Sequence, residues 1–293
     1  MPSPSSLLVR RDSGPVHLYD DLVPLITSFM RSFETLSIAA TLNKSFLRCC
    51  REQYEYLTEN PELWIPSESR HFASHEWDFR RESPSPSPTV QDTKSSLLAH
   101  LHNSAYLSPS GLVLPPNSSS YATLPSWTWG GPTSIEVYLK FSKFNPTSHI
   151  FDFGSYSYSD RIFLCNFRTT SNLTLCIRKN HEPRYIDSNS NNGFEEDKWT
   201  HLVLTFEGCI TKIHKNGKLV KTSTSSQEPE ICERDAQTIG AYLKGDNFFF
   251  DGTIGFIRFY NGKIVESEHV RGLYNEMKKP KVNITKRIFL SYE

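Results

Sequence analysis

The sequence predicts a mainly β chain that folds as a two-layer antiparallel sandwich. Three observations carry this expectation. Several runs alternate apolar and polar residues with period two, most clearly Ser134 to Phe141 and Trp199 to Glu207. Turn signals separate the runs at short intervals, among them Asn216-Gly217 and Asn261-Gly262, where a tight hairpin needs positive φ. Aromatic residues make up 13% of the chain and prolines number 18, a composition suited to many short strands joined by turns.

The chain is expected to begin with a disordered stretch, 1–14, followed by a helical segment over 15–68. Asp20 and Asp21 suit an N-cap and first turn, where carboxylates meet unpaired amides. Leu22, Leu25, Ile26, Phe29 and Met30 then follow helical spacing, with Pro24 confined to the first turn. Phe33, Leu36, Ala39 and Ala40 form a second apolar pattern, and Phe46, Leu47, Cys50, Tyr54 and Leu57 a third. The segment closes at Leu63-Trp64. It resembles the F-box in its acidic pair, in Ser28-Phe29-Met30, in the turn around Lys44 and in Leu63-Trp64, although Leu18-Tyr19 stands where most members have Leu-Pro. The resemblance implies a partner, the small adaptor subunit of cullin-type ubiquitin ligases, contacted by Leu22, Ile26, Phe29 and Leu36. A helical hairpin packed on the following domain is the alternative.

The β-rich domain is expected over 69–278. His75 to Arg80 reads as its first strand, and Ser83 to Pro88 as an exposed Ser/Pro loop that cannot pair in a sheet. Leu97 to Leu101 and Gly111 to Leu114 read as the first pair of strands, followed by Tyr121 to Leu124. Ile135, Val137, Leu139 and Phe141 share one face of the next strand, and His149 to Gly154 follows. Arg161 to Phe167 and Leu173 to Arg178 read as a hairpin. If it is symmetric, Leu164 opposes Ile177 and Cys165 opposes Cys176. Next comes a three-strand meander over 199–220, taken as the centre of the scaffold. Strands at Thr238 to Tyr242, Asn247 to Phe250 and Gly252 to Tyr260 and a short helix from Ser267 complete the domain, and 279–293 is a basic tail.

The ordered elements resemble the concanavalin A-like lectin/glucanase superfamily in its laminin-G-like or pentraxin-like branch. The residues that carry this are Trp129-Gly130-Gly131 with the Ser134 strand, Ile150 to Gly154, Trp199-Thr-His, Asn216-Gly217-Lys218 and Gly252 to Tyr260. The resemblance implies a jelly-roll sandwich. Glycosidases on this scaffold place paired carboxylates on one strand as Glu-x-Asp-x-x-Glu, which this sequence lacks, so no catalytic residues are assigned and the expectation is not an enzyme. Glu195-Glu196-Asp197 reads as a solvated turn. The family's calcium ligands are loop oxygens, for which Asp152, Asp160, Asp187, Asp246 and Asp251 are candidates without a ligand run. Trp127 and Trp129 are candidates for a sugar-stacking platform, and Asp152 and Asp160 complete the candidate ligand-binding set. No other cofactor is implied. His71 and His75 lack a third ligand for zinc.

Lysine plus arginine number 32, as do aspartate plus glutamate, so no basic field argues for nucleic acid. The start carries no apolar signal region and no run is long enough to span a bilayer. The expectation is therefore a cytoplasmic or nuclear protein with six reduced cysteines. It would bind a protein or glycan ligand without catalysis, and the F-box-like segment would link that ligand to a ubiquitin ligase. A stand-alone lectin-like module is the alternative, and a hydrolase the third.

Overall fold

The computed structural model describes residues 72–80, 87–155, 157, 159–188, 193–242 and 248–278. The chain divides into two units, Met1–Trp64 and Ile65–Glu293, and the described residues all lie in the second. The F-box-like expectation, with Leu22, Ile26, Phe29 and Leu36, lies outside the described residues, as do the tail and most of the Ser/Pro loop.

Two antiparallel sheets stack face to face. Sheet I contains β1 (His75–Asp78), β4 (Tyr106–Ser108), β5 (Gly111–Leu114), β8 (Thr133–Lys143), β13 (Trp199–Glu207), β14 (Ile210–Lys215), β15 (Lys218–Ser223) and β18 (Asp251–Asn261). Its order is β15-β14-β13-β8-β18-β5-β4, with β1 also paired to β18. Sheet II contains β2 (Thr89–Gln91), β3 (Leu98–His102), β6 (Tyr121–Leu124), β9 (His149–Gly154), β10 (Arg161–Asn166), β11 (Leu173–Lys179), β12 (Glu182–Asp187) and β17 (Ala236–Ile239). Its order is β12-β11-β10-β9-β17-β6-β3-β2. A small ribbon pairs β7 (Trp127–Trp129) with β16 (Cys232–Arg234). One helix, α1 (Ser267–Lys278), follows β18.

The core is the set of inward residues that strand alternation selects. Ile135, Val137, Leu139 and Phe141 of β8 meet Phe151 and Phe153 of β9, Ile162 and Leu164 of β10, and Leu202, Leu204 and Phe206 of β13 in one buried cluster. Sheet I is buried on its other face too, around a second apolar cluster beside the charged groups Glu76, Glu136 and Arg258. Val203 and Tyr260 pack there with Val265, Val270 and Leu273 from α1 and the segment before it. That second buried face explains why β13 and β18 read as almost continuous apolar runs.

Four expectations change. The meander β13-β14-β15 lies at one edge of sheet I, not at its centre, because the two eleven-residue strands β8 and β18 occupy the middle. The expected first pair does not form: β3 belongs to sheet II beside β2 and β6, and β5 to sheet I beside β4 and β18. The hairpin β10-β11 pairs Leu164 with Leu175 and Cys165 with Thr174, two residues away from the symmetric register. Its turn closes one residue earlier, with Arg168 at φ 53° and the Phe167 N–H donating to the Asn172 carbonyl at 2.8 Å. A slip of two keeps every side chain on its expected face, so the core is unaffected. Finally, Phe248–Phe250 form no strand and instead run across the end of β9, where the His149 N–H donates to the Phe248 carbonyl at 3.2 Å.

The Asn216-Gly217 hairpin is as expected, with both residues at positive φ, 51° and 76°. Among the described residues no helix is long and apolar enough to cross a membrane.

Candidate functional site

The two outer faces differ. Sheet I carries α1 on its outer face, whereas among the described residues no helix covers the outer face of sheet II. Strand alternation turns Asp152, Arg161, Phe163, Cys165, Thr174, Cys176, Tyr185, Thr238, Thr123 and His102 towards that face. Its aromatic groups remain accessible: Tyr185 is 58% exposed, and Phe163, Tyr242, Phe248, Tyr121 and His102 are half-buried.

The centre of the face is an ion pair wrapped in rings. Arg161 and Asp152 are both buried and bond through two parallel N–H···O contacts. The Arg161 guanidinium sits 4.4 Å from the centroid of Tyr242 and 4.9 Å from that of Phe163. These contacts hold a flexible cation in one pose and neutralise its charge against Asp152.

His149 lies beside this pair. Its ring is 5.0 Å from Phe163, 5.1 Å from Tyr242 and 6.1 Å from Phe248. Nδ1 is 2.9 Å from the Thr147 carbonyl, so Nδ1 carries the proton and donates it there. Nε2 is buried and, among the described residues, has no hydrogen-bond partner. Burial lowers the pKa of His149 to about 4, with Arg161 adding to the shift and Asp152 opposing it, so the imidazole is neutral at pH 7. Cys165 stands opposite His149 on the neighbouring strand, and burial and the nearby Cys176 push its thiol up to about 12. Both cysteines are unbridged.

The face continues beyond this centre. Tyr185 on β12 meets Phe163 edge to face at 6.4 Å. At the other side His102 stacks on Tyr121 at 4.5 Å and its Nε2 lies 2.8 Å from the Thr123 hydroxyl. From β12 to β3 there are six inter-strand steps of about 4.8 Å, a span of about 29 Å. That is the length of an oligosaccharide rather than of a single sugar.

The residues singled out from sequence are scattered. Asp152 belongs to this face, but its carboxylate is engaged by Arg161. Asp160 is buried and accepts from the Asn180 N–H at 3.1 Å and the Ser159 hydroxyl at 2.5 Å, a turn-holding role. Trp129 is in the core: it is 1% exposed, donates its indole N–H to Gln237 at 2.9 Å and lies under the Arg234 guanidinium at 4.4 Å. A ring enclosed in this way offers no stacking surface to a sugar. Trp127 is half-buried, 5.4 Å from Trp77 and 5.0 Å from His75, away from the sheet II face.

Asp187 is exposed and accepts from the Thr174 hydroxyl at 2.7 Å. Asp251 is buried, its Oδ1 has no hydrogen-bond partner among the described residues, and burial together with Asp197 and Glu196 raises its pKa. Asp246 and His71 lie outside the described residues. Among the described residues no three His, Cys, Asp or Glu side chains are arranged to hold a metal ion. Glu195, Glu196 and Asp197 are exposed as expected of a solvated turn.

Sequence reasoning missed Arg161, His149, Phe163, Tyr185 and Tyr242. A signal was present. Arg161 and Asp152 are the charged residues of two otherwise apolar strands, and both sit on the non-core phase of the alternation.

Solved structures share this architecture at low identity. Domain 4 of AbnA, an extracellular arabinanase of Geobacillus stearothermophilus solved with arabinotriose, is 16% identical with a TM-score of 0.55, over 69% of this chain and 98% of that one. A Trypanosoma rangeli sialidase is 14% identical with a TM-score of 0.53, over 71% of this chain and 33% of its own. The botulinum neurotoxin serotype D binding domain is 14% identical with a TM-score of 0.52, over 70% of this chain and 51% of its own. These likenesses show a shared fold. No curated protein matches the sequence. Residues 116–268, more than half of the chain, match the family model of the concanavalin A-like lectin/glucanases superfamily, and the chain belongs to that family.

Proposed function

We propose that the sandwich is a non-catalytic binding module that holds a glycan along the outer face of sheet II. The observation that carries this reading is the face itself, uncovered by any described helix and lined by Tyr185, Phe163 and Tyr242 around a fixed polar centre. Aromatic faces beside a few well-held polar groups suit the mixed apolar and hydroxyl surface of a saccharide. Domain 4 of AbnA, with the same architecture, was solved with arabinotriose, which makes arabino-oligosaccharides a natural first probe.

Of the buried carboxylates, Glu136 and Asp152 are held by cations, and Asp251, whose pKa burial raises, belongs to no Glu-x-Asp-x-x-Glu strand. A glycosidase acid needs a raised pKa. Burial works to raise Glu136, but Arg258, His201 and Tyr260 outweigh it and hold it at about 2. Asp152 is engaged by Arg161.

The test is a glycan array read with and without calcium, followed by Tyr185→Ala and Phe163→Ala. Each substitution should weaken binding about tenfold, a loss of about 1.4 kcal/mol. A wild-type protein silent on every glycan would overturn the reading and leave protein recognition. The separate ligase expectation for residues 15–68 predicts co-purification with the adaptor subunit, lost on Ile26→Asp. No association in either form removes it.

A further inference from the structure

Among the described residues, the Nε2 atom of His149 is a buried group on the sheet II face without a hydrogen-bond partner. A buried acceptor without a partner costs about 1–3 kcal/mol, so its retention calls for a partner supplied from elsewhere. Resting on the glycan-face reading, we infer that Nε2 of His149 accepts a hydrogen bond from a hydroxyl of the bound ligand, and that the ligand is a neutral saccharide.

Three features of the site lead to this. First, the tautomer is set: Nδ1 donates to the Thr147 carbonyl, which leaves Nε2 as a lone pair and nothing else. A lone pair recognises a donor such as a sugar hydroxyl. It repels a carboxylate or a sulfate, which bring only acceptors.

Second, the charges around it are closed off. Asp152 and Arg161 neutralise one another directly beside the ring, so the cation that would otherwise favour an anionic sugar is already engaged. Among the described residues the other charged groups of this face are Arg178 on β11, opposite Arg161, and Asp187 on β12, opposite Thr174. They lie towards the Tyr185 side and carry opposite signs.

Third, the imidazole is enclosed by rings. Phe163, Tyr242 and Phe248 surround the imidazole at 5.0–6.1 Å, and all three are half-buried. Partly exposed side chains change rotamer on the picosecond to nanosecond scale, so a hydroxyl reaches Nε2 by displacing a ring edge, without moving a strand. The same ring then covers the apolar face of the sugar whose hydroxyl is bound.

The experiment compares wild type with His149→Phe on an array carrying neutral glycans, arabinotriose among them, and sialylated and sulfated glycans. Phenylalanine keeps the volume and the aromatic contacts and removes the acceptor. The expected result is binding of neutral glycans by wild type, at least tenfold weaker in His149→Phe, with a thermal midpoint equal to or above that of wild type. Equal glycan affinity in the two proteins overturns the inference and leaves the face reading standing. Binding confined to sialylated or sulfated glycans also overturns it. Silence of the wild type on all glycans overturns both readings. If His149→Phe does not fold, the Nε2 nitrogen resonance of labelled wild-type protein decides: it moves when arabinotriose or another array-positive neutral glycan is added, and an unmoved resonance overturns the inference.

Discussion

Glu136 of β8 and Arg258 of β18 face each other across the two central strands of sheet I, and the Nη1 of Arg258 donates to both Glu136 oxygens at 2.9 and 3.0 Å. Arg258 also donates through Nε to Glu76 at 2.7 Å, while Glu136 accepts from the Tyr260 hydroxyl at 2.7 Å and lies 2.8 Å from Nε2 of His201. Every member is at most 4% exposed. Removing one side of a buried pair leaves the other charge uncompensated, at about 3–5 kcal/mol. Arg258→Met, which takes the cation away from both Glu76 and Glu136, should therefore destabilise more than Glu136→Gln. Urea unfolding of the two variants measures the order, and a larger loss for Glu136→Gln would contradict it.

Stability should decline in two acid steps. Burial holds the folded pKa of His149 at about 4, below the ordinary 6.5. The unfolded chain then binds this proton first, so the stability linked to His149 is whole above pH 6.5 and lost as pH falls to 4. The amount is on the order of 3 kcal/mol. Glu136, held at about 2 against 4.5, adds a loss that begins near pH 4.5 and runs down towards 2. Denaturant midpoints between pH 7 and 3 should show both limbs, and His149→Phe should reduce the upper one, to which His102 and His214, both lowered by burial, also contribute.

The tryptophans should separate by burial. Trp129 is enclosed, and Trp129→Ala should cost about 3–5 kcal/mol. Trp199 is only half-buried, stacked on Tyr138 at 4.4 Å on the outer face of sheet I. Trp199→Ala should cost about 1–2 kcal/mol, the value of one open-sided stacking contact with its buried area. Equal losses in thermal or urea unfolding would contradict the placement of Trp199.

Thiol reactivity should follow exposure. Burial raises Cys165 to about 12 and Cys176 to about 11, so both are protonated and inert at pH 8. Cys209 is exposed, and Cys232 is half-buried with its pKa raised by burial. Of the four described cysteines, alkylation of native protein followed by peptide mapping should label Cys209 first, Cys232 more slowly, and Cys165 and Cys176 only after unfolding.

The strands were legible because period two is a local property. Ile135, Val137, Leu139 and Phe141 declare one face without reference to any partner, and Asn216-Gly217 declares its own turn. The family resemblance followed from the order of such local signals. Pairing was not legible in the same way. Nothing near β3 or β5 says that they join opposite sheets, because strand partners are chosen by long-range burial and not by neighbours in the chain.

The site shows the same division. The sequence by itself determined a β-sandwich, the inward face of its long strands and the lack of a paired-carboxylate motif. Only the tertiary structure decided which outer face carries no described helix, and with it which aromatic residues share that face. Trp129 looked like a platform and is core, because β7 turns its ring under Arg234. His149 and Arg161 looked like ordinary strand residues, and folding sets them side by side among Phe163 and Tyr242. A side chain's periodicity fixes the face it takes, but its chemistry depends on what the other strands bring to that face.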